Sequence, residues 1–149
     1  MSLAARSMAA PWSAARIFLL IAAVVHIPLG IIGLLYDQTF PVGTAATERA
    51  GSTLLFGLLE TNGWHSIAAL GVGLAAAYFT AYPRHARDAA LAIGLGHVGI
   101  VASLAIWDPS TFWLASNAAD QVVHTATALG GTGAALLTTR TRQAAPQAG

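Results

Sequence analysis

Four of the five histidines, His26, His65, His97 and His124, each lie in a separate apolar run. An imidazole can carry a proton, orient a hydrogen bond or ligate a metal. At membrane depth such a ring is costly, and its presence points first to function. Polar neighbours accompany two of them. Asn62 precedes His65 by three residues and Asp120 precedes His124 by four, offsets that place each pair on one helical face. With Asn117 they form a candidate His/Asn/Asp cluster. Taken singly, Asn62, Asn117 and Asp120 also read as helix N-caps. His26 and His97 also read as polar glue between helices, worth ~0.6–2 kcal/mol each. Pro28 leaves the carbonyl of Val24 without its helical donor, which an imidazole, hydroxyl or water can supply. His85, between Arg84 and Arg87, reads as a solvated loop residue.

The runs that hold these histidines are about 17–36, 64–82, 89–107 and 122–139, none with Asp, Glu or Arg. Each approaches the ~20 residues that cross a bilayer core. Composition agrees: the chain is 56% hydrophobic and 9% charged, whereas soluble domains carry about 25% charged residues. The first run exceeds the 7–15 residues of a signal-peptide core. Arginine placement then sets direction. Arg6, Arg16, Arg84, Arg87, Arg140 and Arg142 fall on one side of a four-span arrangement and Arg49 on the other. The positive-inside rule makes the first side cytoplasmic, with both termini there. Asp37, Glu48, Glu60, Asp108 and Asp120 fall outside, and Trp12, Tyr36, Trp64, Tyr82, Trp107 and Trp113 sit at or near run ends as an aromatic belt. Residues 1–15 and 141–149 read as cytoplasmic tails around a 16–140 transmembrane domain. The apolar stretch Ser52–Glu60 reads as a short interfacial helix or an extension of the second span.

The two halves repeat. "HIPLGIIGLLYD" from His26 parallels "HVGIVASLAIWD" from His97, and "HSIAALGVGLAAA" from His65 parallels "HTATALGGTGAAL" from His124. Both units start on the cytoplasmic side, as in a parallel repeat. His26 and His97 then lie ~15 Å below their outer span ends, with His65 and His124 nearer the mouth. The four rings can converge in the outer half of the bundle. The glycines at 30, 33, 71, 73, 94, 96, 99, 130, 131 and 133 read as helix contacts.

Several classes are excluded. There is no cysteine, hence no disulfide or thiolate site. A formal charge of +1 supplies no field for nucleic acid, and no G-x-S-x-G, HExxH, phosphate loop or dinucleotide fingerprint appears. Three readings stay open. One is a non-enzymatic membrane protein whose histidines organise the bundle or bind a small ligand, with lipids and a second copy or a membrane complex as partners. Another is a b-type haem protein with His26/His97 or His65/His124 as axial ligands. The last is a zinc site of His65, His124 and Asp120. In a four-span bundle with this polar cluster, alanine at Asp120 or His124 is expected to destabilise the bundle more than alanine at His85.

The strings "LLETNGWHSIAALGVG" and "SNAADQVVHTATALGG" resemble the DUF4383 family of small four-helix membrane proteins, found mainly in actinobacteria. Asn62 and His65 match its first motif, with Ser66 for a second Asn and Ala69 for a second His. Asn117, Asp120 and His124 match the second, with Gln121 for Asn. The resemblance runs from Arg16 to Leu137 and implies an all-α, four-transmembrane-helix bundle with a polar cluster, in the cell membrane. It implies no reaction.

Overall fold

The computed structural model describes residues 12–42, 53–106 and 114–138. Arg6, Arg49, Arg140, Arg142, Glu48, Trp107, Asp108 and Trp113 lie outside them, as do the two tails beyond residues 12 and 138.

The chain is all-α in plan. Helix α1 (Ala14–Tyr36) starts at Ser13, whose hydroxyl accepts the Arg16 amide, a standard N-cap. A hairpin of β1 (Leu54–Leu55) and β2 (Leu59–Glu60) follows, then α2 (Gly63–Thr80), α3 (Pro83–Ile106) and α4 (Ala118–Leu137). Asn62 caps α2 by accepting the His65 amide at 2.8 Å. Pro83 opens α3 at the position where a missing N–H costs nothing. Asn117 and Asp120 form a full capping box on α4.

The helices run alternately up and down. Close approaches pair α1 with α2 and α3 with α4. A Cβ on Gly30 would stand 2.6 Å from the Leu70 amide nitrogen, and one on Gly73 2.7 Å from that of Ile27. Gly94 and Gly131 meet backbone to backbone across α3 and α4. By contrast, Gly71, Gly96, Gly99 and Gly133 have no neighbour within 4 Å and do not serve as contacts.

One expectation is corrected. From Thr53 to Glu60, the described part of the apolar stretch that begins at Ser52 supplies no interfacial helix and no extension of α2. Leu54 pairs with Glu60 and Leu55 with Leu59, antiparallel. Phe56 (φ 55°) and Gly57 (φ 69°) both take the left-handed backbone that a tight primed turn needs. The Leu58 amide closes the turn on the Leu55 carbonyl at 3.1 Å.

The interior divides into two halves. Where α1 and α3 begin and α2 and α4 end, it is a core of small apolar side chains: Ala15, Leu19, Ala22, Ala76, Ala90 and Ala135. Toward the hairpin it turns polar, with His26, Asn62, Ser66, His97, Asp120 and His124 all buried. Outside, the helices expose Ile21, Val24, Leu35, Leu74, Leu95, Val122, Leu129 and Leu136. Among the described residues, one helix, α1, is long and apolar enough to cross a membrane by length and composition. Its most apolar stretch has mean hydropathy 2.6 and is 33% buried. Gly, Ser, Thr and Asp dilute α2 and α4.

Candidate functional site

The four histidines form a row. Ring centres are 5.6 Å apart for His26–His97, 5.5 Å for His97–His124 and 5.7 Å for His65–His124. The two outer pairs, His26–His97 and His65–His124, are the positions that align in the sequence repeat. The row lines a cavity of about 60 Å³ with Glu60, Thr61, Ser66 and Asp120 at its polar walls and Leu29, Leu55, Leu59, Val72 and Ile100 among its apolar ones.

Local structure sets each ring. His26 Nδ1–H donates to the Ala22 carbonyl at 2.9 Å and His97 Nδ1–H to that of Ile93 at 2.9 Å, each one helical turn back. His65 Nδ1–H donates to the Ala115 carbonyl at 2.7 Å, across to the segment before α4. A carbonyl only accepts, so the proton of each neutral ring is on Nδ1 and Nε2 keeps its lone pair. His124 differs. It is 7% exposed, and neither ring nitrogen has a hydrogen-bond partner. Pro28's orphaned carbonyl at Val24 is not what His26 answers; the ring turns to Ala22 instead.

The amides and the carboxylate fill structural roles as well as facing the mouth. Asn117 accepts the Ala119 and Asp120 amides and donates Nδ2–H to the Leu58 carbonyl at 2.8 Å. Asp120 Oδ2 accepts two amides, Asn117 at 2.9 Å and Glu60 at 3.0 Å. These bonds fasten the hairpin over the mouth of the cavity, where Leu55 and Leu59 form part of its wall.

The His65, His124 and Asp120 side chains are not gathered as a three-ligand set. Among the described residues no three His, Asp or Glu side chains stand together as metal ligands. Asp120 is held by the two amides, and His65 is turned to Ala115. Glu60, Thr61 and Ser66 are site residues that sequence reasoning passed over. Ser66 carries the one usable signal, an Oγ one turn from Asn62, whose carbonyl it reaches at 2.9 Å.

An imidazole buried without partners has a stability consequence. His124→Leu keeps the volume and removes two unpaired polar atoms, each of which costs ~1–3 kcal/mol when left unsatisfied. In detergent with EDTA, this variant is expected to melt a few degrees higher, a gain of about 1–2 kcal/mol. A lower melting temperature would mean that the His124 nitrogens are satisfied in the folded protein.

A family model described as "Domain of unknown function (DUF4383)" matches residues 16–137. No curated protein and no solved structure matches the chain.

Proposed function

The chain belongs to the DUF4383 family, and from that premise we propose that it is an integral membrane protein crossing the bilayer four times, with both termini cytoplasmic. Its task is to hold a small ligand in the imidazole-lined pocket of its outer half, by binding and not by catalysis.

One observation carries the reading: the polarity of the bundle is inverted. Histidine, asparagine, serine and aspartate are buried in the hairpin-side half of its interior, while leucine, isoleucine and valine cover its outside on all four helices. Water would penalise that exposed apolar area at roughly 25 cal/mol per Å²; lipid does not. Charge agrees with the orientation. Arg16, Arg84 and Arg87 all lie at the alanine-core end, and Arg16 donates Nε–H to the Thr80 carbonyl there. Asp37, Glu60 and Asp120 lie at the other end. Asp88, near the arginines, pairs with Arg87 at 3.2 Å. Tyr78, Tyr82 and Trp12 mark one interface and Tyr36, Phe40 and Trp64 the other.

The pocket supports binding from one side. Its polar groups end where the alanine core begins, so a ligand entering past the hairpin meets a closed floor. That favours a receptor or store for a small ligand over a conduit across the membrane.

Carbonate-washed membranes are expected to retain the full chain. A reporter at Gly149 is expected to work only in the cytosol, and one inserted after Gly51 only outside. Release into the carbonate supernatant, or both reporters on one side, would overturn the four-span reading.

A further inference from the structure

We propose that the pocket ligand is a single d-block cation of the copper or zinc class, held first between His97 and His124. This rests on the pocket reading above and names its ligand class.

The lining is rich in acceptors. His26, His65 and His97 present Nε2 lone pairs, because their Nδ1 protons are committed to carbonyls. Glu60 adds a carboxylate at the mouth, whereas Asp120 is held by the Asn117 and Glu60 amides. Such a lining suits a Lewis acid better than an anion or a hydrogen-bond acceptor. Imidazole donors select copper, zinc and nickel over the oxygen-seeking magnesium and calcium.

The spacing is consistent with a shared ion. Nitrogens bound at ~2.0–2.1 Å to one ion set their ring centres roughly 5–6 Å apart. The His97–His124 distance is 5.5 Å, and the flanking pairs stand at 5.6 and 5.7 Å. Three donors do not converge on one point. The site is therefore a two-imidazole seat, completed by water or by a turn of the neighbouring His26 or His65.

His124 supplies the independent sign. It is more than nine-tenths buried, lines the cavity and has no partner at either nitrogen. A metal bond would satisfy the nitrogen that carries the lone pair. The bonds from His26 and His97 to their own helices are the arrangement that fixes tautomer and raises basicity in ligating imidazoles. A cavity of about 60 Å³ accepts an ion with a few waters.

The test uses the full chain in detergent, stripped with chelator and then dialysed against Zn²⁺, Cu²⁺ or Mg²⁺. The expected result is one Zn²⁺ or Cu²⁺ per chain, no Mg²⁺, and a Cu²⁺ spin-echo spectrum showing imidazole nitrogen. His124→Ala and His97→Gln are each expected to weaken binding by about 100-fold, at or above the cost of outer-shell changes. His85→Ala binds as the native chain does. Circular dichroism checks that each variant is folded, and His97→Gln carries the test where His124→Ala loses helix. A folded, membrane-inserted chain that takes up no ion overturns the cation assignment and leaves the four-span reading intact. Binding unchanged in both pocket variants, or copper without imidazole coupling, overturns it as well.

Discussion

Gly131→Val is expected to break the packing of α3 on α4, while Gly133→Val two residues away leaves it intact. A Cβ at 131 would stand 2.7 Å from the Ala90 carbonyl oxygen, 2.8 Å from Gly94 Cα and 2.9 Å from Gly94 nitrogen. All three are backbone atoms, so no side chain can turn aside and one helix must move. The cost is at or above the upper end of the ~1–3 kcal/mol typical of overpacking. At Gly133 nothing lies within 4 Å, and valine there changes stability by less than about 1 kcal/mol, the scale of helix propensity. Thermal melts in detergent followed by helix ellipticity separate the two. Equal melting temperatures would show that α3 and α4 do not meet at this point. The pocket should fail with the packing, since His97 and His124 stand on those two helices.

That pair of glycines also shows what the sequence can and cannot tell. Every glycine in the four runs fits a small-residue contact by composition. Which ones are used depends on helix rotation, and rotation is set by partners distant in the chain. Gly94 and Gly131 face each other; Gly96, Gly99 and Gly133 look outward. Helix α1 was plain, because an uninterrupted apolar run between Ser13 and Asp37 leaves little alternative. Caps at Asn62 and Asn117 were legible for the same local reason.

The hairpin was not legible. In "STLLFGLLE" the leucine pairs at 54–55 and 58–59 are spaced like a helical stripe, and the strong turn dipeptides are missing. A tertiary bond decides instead: Glu60 donates its amide to Asp120, and within the hairpin Thr61 donates its own to the Thr53 carbonyl at 3.2 Å. Propensity yields to such contacts in so short a segment. The histidines were visible as residue types, and the repeat suggested which would pair. Their bonds to Ala22, Ile93 and Ala115, and the lack of any at His124, follow from packing that the sequence does not display. Ala69, which replaces the motif's second His, lines the same cavity.

The expectation that alanine at Asp120 or His124 costs more stability than alanine at His85 rests on different ground at each position. His124 is buried without partners, whereas Asp120 is the joint between α4 and the hairpin. Asp120→Ala strips the acceptor from two amides, Asn117 and Glu60. At ~1–3 kcal/mol for each buried group left unpaired, the loss is roughly 2–5 kcal/mol. Asp120→Asn keeps one acceptor oxygen and is expected to lose about half as much or less. Asn117→Ala removes the other half of the capping box and the bond to the Leu58 carbonyl, so the double variant should cost less than the sum of the singles. Hydrogen exchange localises the effect: in Asp120→Ala the Glu60 amide should exchange much faster, while amides near Ala90 keep their protection. His85→Ala, on the exposed first turn of α3, should melt as the native chain does. Were Asp120→Ala to melt within about 1 °C of the native chain, a shift worth only tenths of a kcal/mol, the hairpin would not be held by this carboxylate. The cavity would then lack the fastening that keeps Leu55 and Leu59 over its mouth.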